Sequence, residues 1–504
     1  MSLVLYNTCT RQEEQFAPLE PGKVRMYCCG VTVYDLCHLG HARSYIVWDV
    51  VRRYLQWCGY TVHYVQNFTD IDDKILNRAK SRGVSMQAIA QQYIEAYQED
   101  MAKLNILPAN AYPRATEVIP EIISLIKTLV DQGYAYVVEG DVYYAVERFP
   151  NYGKLSKRQL DQMEAGASGR VEDAEPKKHH PLDFVLWKAA KPEEIDVYTP
   201  WDSPWGLGRP GWHIECSAMV QQAFGGTIDI HAGGMDLIFP HHENEIAQSE
   251  AASHQALAHY WLHHGFVNIQ GEKMSKSLNN FKTIRDLLQV YEPMALRVFV
   301  LQAHYRKPLD FTEAAIAAAQ NSWHTLKEGL LFGEQYGQQL GWTLTNGQQP
   351  LDESCLRSDM VDRFRAAMDA DFNTPIALSV LFELAKDLRR ERNILVHQGG
   401  TESNPQLLAQ QWQTLVHLAR VLGLEVLNLV IGDASSPAQL RLIANDGTFE
   451  VRLSDAEIEV LIQKRQESRQ AKNYAEGDRI RNELQAQGIT LIDQPGGVTR
   501  WHRN

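Results

Sequence analysis

Three observations in the sequence predict an α/β fold: a parallel sheet carrying an insertion, followed by a helical C-terminal half. Residues 23–65 read strand, helix, strand. A second strand running into a glycine turn stands at 227–236, beyond a polar interruption. From about 281 to 430 the pattern is almost entirely helical. At 504 residues the chain has room for several domains.

Residues 23–29 form the first expected strand. Ile46, Val50, Tyr54 and Cys58 recur at helical spacing over 45–58, and Gly59 suits the end of that helix. Residues 61–65 are β-branched and aromatic, which predicts a second strand. The three make a parallel crossover unit, and in such sheets ligands gather beyond the C-terminal ends of the strands. Cys29, His38, His41 and the turn Asn67-Phe68-Thr69-Asp70 all fall at such ends. Asp72 and Asp73 open a helical region reaching 104, where their charge favours the helix dipole.

Residues 113–204 read as an insertion, with a helix at 117–132 and a hairpin at 135–146. His179 and His180, beside Lys177 and Lys178, are expected in a solvated loop. The sheet then resumes: a helix from 211, a strand at 227–231, a glycine turn at 232–236, and a helix started by Pro240. Asp371-Phe372-Asn373-Thr374-Pro375 breaks the helical run that follows, which is read as a bundle. Residues 432–455 read as a linker or hairpin, and 456–487 as a charged helical stretch. The chain ends in two glycines and then arginines around an exposed-looking tryptophan. Arg500, Trp501 and Arg503 are therefore expected to grip unpaired bases.

The net charge of -13 requires any nucleic-acid contact to run through local basic patches. No apolar run approaches the ~20 residues that cross a bilayer, and residues 1–15 do not read as a secretory signal. Seven cysteines, an odd number, argue for free thiols in a reducing compartment and against a disulfide framework. A cytoplasmic protein without membrane contact is expected.

Two motifs carry chemistry. His38 and His41 flank Gly40 at a helix N-terminus, where backbone amides and the helix dipole attract anions. Two imidazoles there can donate hydrogen bonds to a phosphate, and Gly40 leaves room for a flat base against the backbone. Far downstream, Lys273-Met274-Ser275-Lys276-Ser277 places two lysines in a polar stretch. A third group suggests a metal. His241 and Glu245 are four apart on one helix and share a face. Cys216 and Cys29 can reach the same sheet edge, and thiolates with imidazole and carboxylate suit zinc. Spacing alone leaves His242, Glu243 and Cys28 open as ligands. Cys28 and Cys29 point to opposite faces of a strand, so at most one of them belongs.

His38-Leu39-Gly40-His41 and Lys273-Met274-Ser275-Lys276-Ser277, in this order, resemble the paired signatures of class I aminoacyl-tRNA synthetases. Leu39 replaces the commoner isoleucine, one apolar residue for another. Three longer stretches, 27–35, 211–219 and 239–245, resemble the cysteinyl-tRNA synthetases, a likeness that runs to the last residues. The resemblance implies a Rossmann-type catalytic domain split over 1–112 and 205–270, and a connective insertion at 113–204. It further implies a lysine-loop and stem-contact region at 271–312, a helical bundle at 313–432, and an anticodon-binding region at 433–504. It implies one zinc per chain on Cys29, Cys216, His241 and Glu245, which leaves Cys28 to packing. His38, Gly40, His41 and Lys276 would bind ATP, which magnesium accompanies. His38, His41, Lys273 and Lys276 would be catalytic. Thr69, Trp212, His231 and Asp236 would line the amino-acid pocket, with Asp236 on the substrate ammonium. The implied partners are tRNA(Cys), ATP and cysteine, and the chain is expected to act as a monomer.

A zinc ion makes physical sense for such a substrate. Serine is nearly isosteric with cysteine, and a pocket rejects such an isostere by only about a hundredfold. A thiol ionises far more readily than an alcohol, with a pKa near ~8.5, so a metal can discriminate where shape does not. Three rival readings fit less of the chain. An ATP-dependent ligase joining cysteine to a small amine leaves the C-terminal half without purpose. A non-catalytic zinc RNA-binding protein leaves the histidine and lysine motifs idle. A zinc hydrolase using Glu243 or Glu245 as base lacks two histidines four apart around a glutamate.

Overall fold

The computed structural model describes residues 3–160, 177–192, 197–269, 272–273, 281–342, 356–426, 441–443, 449–451, 455–470, 473–486, 489–493 and 499–503. The chain divides into two compact units. One is Met1–Leu331 with Thr345–Lys386 and Gln410–Glu425; the other is Phe332–Leu344 with Asp387–Ala409 and Val426–Asn504.

The first unit opens with a hairpin, β1 (Val4–Asn7) and β2 (Gln12–Gln15). The expected crossover follows as β3 (Lys23–Thr32), α1 (Leu39–Trp57) and β4 (Thr61–Thr69). Helix α1 starts earlier than its apolar spacing indicated, because the motif histidines cap it. His38 Nδ1 accepts from Gly40 N at 3.1 Å, and His41 Nδ1 accepts from His38 N at 3.2 Å. Amides left over in the first turn are thereby satisfied by the side chains that chemistry would also use.

The pairing of β3 with β4 slips between Cys28 and Val31. At the slip Gly30 N donates to Asn67 Oδ1 at 2.8 Å, and a Cβ on Gly30 would stand 1.6 Å from Asn67 O. The backbone approach is possible only without a side chain. Gly30→Ala is expected to lower stability by about 1–3 kcal/mol, the usual cost of overpacking. The shift of the first calorimetric transition measures it.

The helical region to 104 is two helices, α2 (Asp73–Arg82) and α3 (Met86–Lys103), because Gly83 turns left-handed at φ 65°. Asp72 caps α2 by accepting from Lys74 N at 2.9 Å. Asp73 pairs with Lys188 at 2.9 Å and with Arg209. In the insertion, α4 (Ile119–Asp131) precedes an antiparallel sheet of β5 (Ala135–Val138), β6 (Asp141–Tyr144), β7 (Phe184–Ala189) and β8 (Gly208–Pro210). Because β8 closes that sheet, the insertion's framework continues past 204 to Pro210. His179 is exposed as expected, its ring stacked on Tyr136 at 3.8 Å.

The main sheet is completed by α5 (Trp212–Phe224), β9 (Ile228–Gly234), α6 (Glu243–Ser253) and β10 (Ala258–His264). Its order is β10-β9-β3-β4, parallel throughout. Two local expectations differ. Ala232, Gly233 and Gly234 extend β9 against β10 where a turn was expected. Pro240 does not begin the helix, since Phe239 is extended (φ −138°, ψ 130°) and α6 proper starts at Glu243.

A small sheet of β11 (Val267–Ile269), β12 (Glu272–Lys273) and β13 (Leu309–Phe311) brackets the short helices α7 (Ile284–Leu288) and α8 (Pro293–Leu301). The helical half continues as α9 (Glu313–Tyr336), α10 (Ser358–Asp369), α11 (Thr374–Gln398) and α12 (Pro405–Val421). The expected break lies between α10 and α11, where Asp371 and Phe372 take φ of 55° and 53°.

The second unit includes a short hairpin, β14 (Arg441–Ile443) and β15 (Phe449–Val451), then α13 (Asp455–Gln470) and α14 (Tyr474–Ala486). A terminal hairpin follows, β16 (Ile489–Asp493) and β17 (Thr499–Arg503). Ile458, Ile462, Ile480, Leu484, Ile489 and Leu491 form its core. Trp501, expected to be exposed, is half-buried: it pairs with Leu491 and packs on that core. Among the described residues no helix is long and apolar enough to cross a membrane.

Candidate active site and metal centre

The C-terminal ends of the parallel strands carry the site. Cys29 comes from β3, Cys216 from the second turn of α5, and His241 and Glu245 from the start of α6 and the segment before it. All four are buried, and one ligand atom from each lies within 4.8 Å of the others. Cys29 Sγ is 4.0 Å from Cys216 Sγ and 3.3 Å from Glu245 Oε1, which is 3.0 Å from His241 Nε2. A tetrahedral ion with bonds of about 2.0–2.3 Å separates its donors by about 3.3–3.8 Å. These three separations are within a few tenths of an ångström of that spacing.

The surrounding groups orient His241 and Glu245 in the way outer partners orient metal ligands. His241 Nδ1 shares a hydrogen bond with His213 Nδ1 at 3.0 Å, which leaves Nε2 facing the cluster. Trp212 lies face to face with the His241 ring at 4.1 Å. His231 Nε2 holds the other oxygen of Glu245 at 2.9 Å and stacks on Trp261 at 4.4 Å. A second grouping, Cys29, His231, His242 and Glu245, overlaps the first. It offers one thiolate where the first offers two, and its His231 is already committed to orienting the carboxylate. Cys28, by contrast, turns away: it is fully buried beside Tyr64, and burial pushes its thiol up to about 12.

The ionisation of the bare cluster fits a cation. Cys216 is drawn down to about 6, first by the hydrogen bond from Cys29, with His241 helping. Burial and its neighbour's charge push Cys29 up, so one proton is shared by two sulfurs. Burial opposes a charged His241, yet Glu245 and Cys216 lift it to about 9. Burial likewise opposes a Glu245 carboxylate, but His231 and His241 hold its pKa well below the ordinary range.

His38 and His41 stand at the head of α1 with rings stacked 3.8 Å apart. Since each Nδ1 accepts a backbone N–H, the neutral rings carry their protons on Nε2, the orientation that donates to an anion. Both flanks of the lysine motif dock here. Arg43 donates to Phe266 O at 2.6 Å and Tyr305 O at 3.0 Å, just before β11 and β13. Leu39 N donates to Lys282 O at 3.0 Å, and Ile284 N to Cys37 O at 2.9 Å. Lys273 lies in β12, paired with Asn268. Lys276 lies outside the described residues.

Residues 15–321 match the profile of the class I (C) tRNA synthetase catalytic domain, and 363–427 match the DALR domain. The chain is 68% identical over 509 residues to the cysteine–tRNA ligase of Cyanothece sp., covering 100% of both. It is 61% identical over 515 residues to that of Trichormus variabilis, again covering 100% of both. The chain belongs to the cysteine–tRNA ligase family.

The fold is the class I synthetase fold, as two solved structures show at low identity. Mycobacterium tuberculosis methionyl-tRNA synthetase matches with a TM-score of 0.52 at 16% identity, over 79% of this chain and 89% of that one. The Agrobacterium radiobacter LeuRS in its tRNA complex matches with a TM-score of 0.55 at 11% identity, over 81% and 85%. Within this cysteine–tRNA ligase fold, Thr69 and His231 are buried, Trp212 half-buried, and Asp236 exposed at the rim. In the second unit Arg500 Nη1 donates to Leu395 O at 2.8 Å, and Arg503 pairs with Ile489 in the terminal hairpin. Sequence reasoning missed His213, which holds His241, and His263, which holds His242 at 2.8 Å. His213 was visible in principle, three residues before Cys216 on one helix face. His263 had no signal short of the strand order.

Proposed function

We propose that the chain charges tRNA(Cys) with cysteine in two steps, holding zinc on Cys29, Cys216, His241 and Glu245. Two thiolates, one imidazole and one carboxylate gathered in a buried site carry this reading. When bound, zinc supplies a coordination position that a thiolate fills and an alcohol does not. The side chains do the remaining work. Trp212, His231 and Thr69 shape the wall around the substrate side chain, and Asp236 takes its ammonium group.

In the first step the cysteine carboxylate attacks the α-phosphorus of ATP, and pyrophosphate leaves with the bonding electrons. His38 and His41 donate from Nε2 to the phosphate oxygens as charge builds, with ATP carried as its magnesium complex. Gly40 gives the base space. Lys276 and Lys273 take the charge of the departing pyrophosphate. In the second step a hydroxyl of the terminal ribose forms the ester with the cysteinyl carbonyl. AMP leaves with the electron pair, and the hydroxyl proton passes to it or to water. Arg500 and Arg503 offer charge to tRNA in the second unit, with Trp501 holding their hairpin on its core. The chain acts as a cytoplasmic monomer.

Purified protein is expected to exchange pyrophosphate into ATP only when cysteine is present, and to esterify tRNA(Cys). Exchange without charging of tRNA would favour a small-amine acceptor and overturn the reading. Serine at equal concentration is expected to support less than about one hundredth of the exchange, since a shape-only pocket reaches that limit unaided.

A further inference from the structure

A cavity of about 340 Å³ opens beyond the β10 edge of the main sheet, within the usual ~300–1,000 Å³ size of ligand sites. Arg11, Arg158 and Arg306 line it, together with Phe239 and His263. Arg306 is held by Asp371 at 2.5 Å. Neither Arg11 nor Arg158 is in an ion pair with a described residue. Arg11 Nη2 donates to Ser156 O at 3.2 Å, and Arg158 lies 5.3 Å from the centre of the Phe239 ring. Two guanidinium groups with no acidic partner among the described residues, in a chain of net charge -13, mark a local site for an anion.

The cavity also connects to the metal cluster. Its floor is His263, whose Nδ1 meets Thr8 Oγ1 at 2.9 Å and whose Nε2 meets His242 Nδ1 at 2.8 Å. His242 Nε2 is 3.3 Å from Cys29 Sγ. Along the sheet, β9 and β10 separate this cavity from β3 and the head of α1. Two places suited to anions therefore stand at different strands of the sheet, the cavity at β10 and the head of α1 after β3. If ATP occupies the α1 side, a ribose hydroxyl attacking the activated carbonyl must arrive from a side the nucleotide leaves open.

We infer that this cavity receives the single-stranded 3′ end of the tRNA, with Arg11 and Arg158 on its phosphodiesters and the Phe239 ring, backed by Arg158, as a stacking surface for a base. Arginine beside an aromatic face is the usual means of holding unpaired nucleotides. The inference rests on tRNA being the second substrate, and it names residues of the first unit that no motif indicated.

The test compares the two half-reactions in the full chain. Arg11→Ala and Arg158→Ala are expected to leave cysteine-dependent pyrophosphate exchange within twofold of the parent. Each is expected to lower kcat/KM for tRNA by about tenfold, as for loss of one charged hydrogen bond. The logarithmic salt dependence of tRNA charging is expected to become shallower by about 0.7 per arginine removed. Lys127→Ala, the same change of charge on α4, is expected to alter neither quantity. Unchanged tRNA charging in both arginine variants overturns the inference. So does an equal fall in exchange, which makes the arginines part of the first step or of the fold, or an equal effect from Lys127→Ala. Inhibition of exchange by inorganic phosphate that both variants relieve would mark a free-phosphate site and also overturn it. A parent that exchanges pyrophosphate yet charges no tRNA overturns the underlying reading instead.

Discussion

Cys216→Ser is expected to abolish zinc binding and to cut cysteine-dependent exchange by at least about a hundredfold, beyond the 10–100-fold typical of outer partners. The reason lies in the donor set. Cys216 Sγ is one corner of a buried group of two sulfurs, a nitrogen and an oxygen. Serine there keeps nearly the same volume but does not ionise at neutral pH, so one ligand is lost without a cavity. His213→Ala is the matched contrast. It removes the partner that aims His241 at 3.0 Å and leaves all four ligands in place. Its zinc affinity is expected to fall by about 10–100-fold, with activity recovered on adding zinc. Metal content by atomic emission, read beside exchange with cysteine and with serine, separates the cases. Full zinc content in Cys216→Ser would transfer the metal to the overlapping group with His231 and His242.

What the sequence made legible follows from the range over which each signal acts. The apolar period of α1 and the β-branched run of β4 are local, and both elements formed, but α1 begins at Leu39 ahead of that period and β4 runs to Thr69 through residues expected in a turn. The left-handed break at Asp371 and Phe372 was likewise local. The four proposed metal donors span 216 residues, from Cys29 to Glu245; strand-end topology left His242, Glu243 and Cys28 open beside them, and the family resemblance named the four. What escaped were consequences of neighbouring layers. Gly233 of β9 pairs with His263, and a Cβ there would lie 2.7 Å from the His242 ring, a contact that exists only once the segment leading into α6 folds back. His263 enters the site because β10 pairs with β9. Trp501 looked exposed in a polar tail, but β17 pairs with β16, Trp501 opposite Leu491, and Trp501 packs against a small core.

His38→Asn is expected to leave α1 as stable as before while lowering kcat of pyrophosphate exchange by about 10²–10³, the range for one lost transition-state donor. Asparagine places its Oδ1 where the imidazole has Nδ1, so the bond from Gly40 N, now 3.1 Å, survives, and asparagine is a favoured helix cap. What disappears is Nε2–H, the only part of the ring that can reach a phosphate while Nδ1 is occupied. His41→Asn works the same way, keeping an acceptor for His38 N, now at 3.2 Å. Glutamine is the complement. Its amide extends towards the Nε2 position and restores part of the rate, while the lost cap costs about 0.5–2 kcal/mol of stability. Asparagine variants that are stable and slow, set against glutamine variants that are less stable and faster, would separate the two ring nitrogens into a structural and a chemical atom. Equal rates for the two substitutions at both positions would confine the histidines to capping and move the charge stabilisation to the amides of α1.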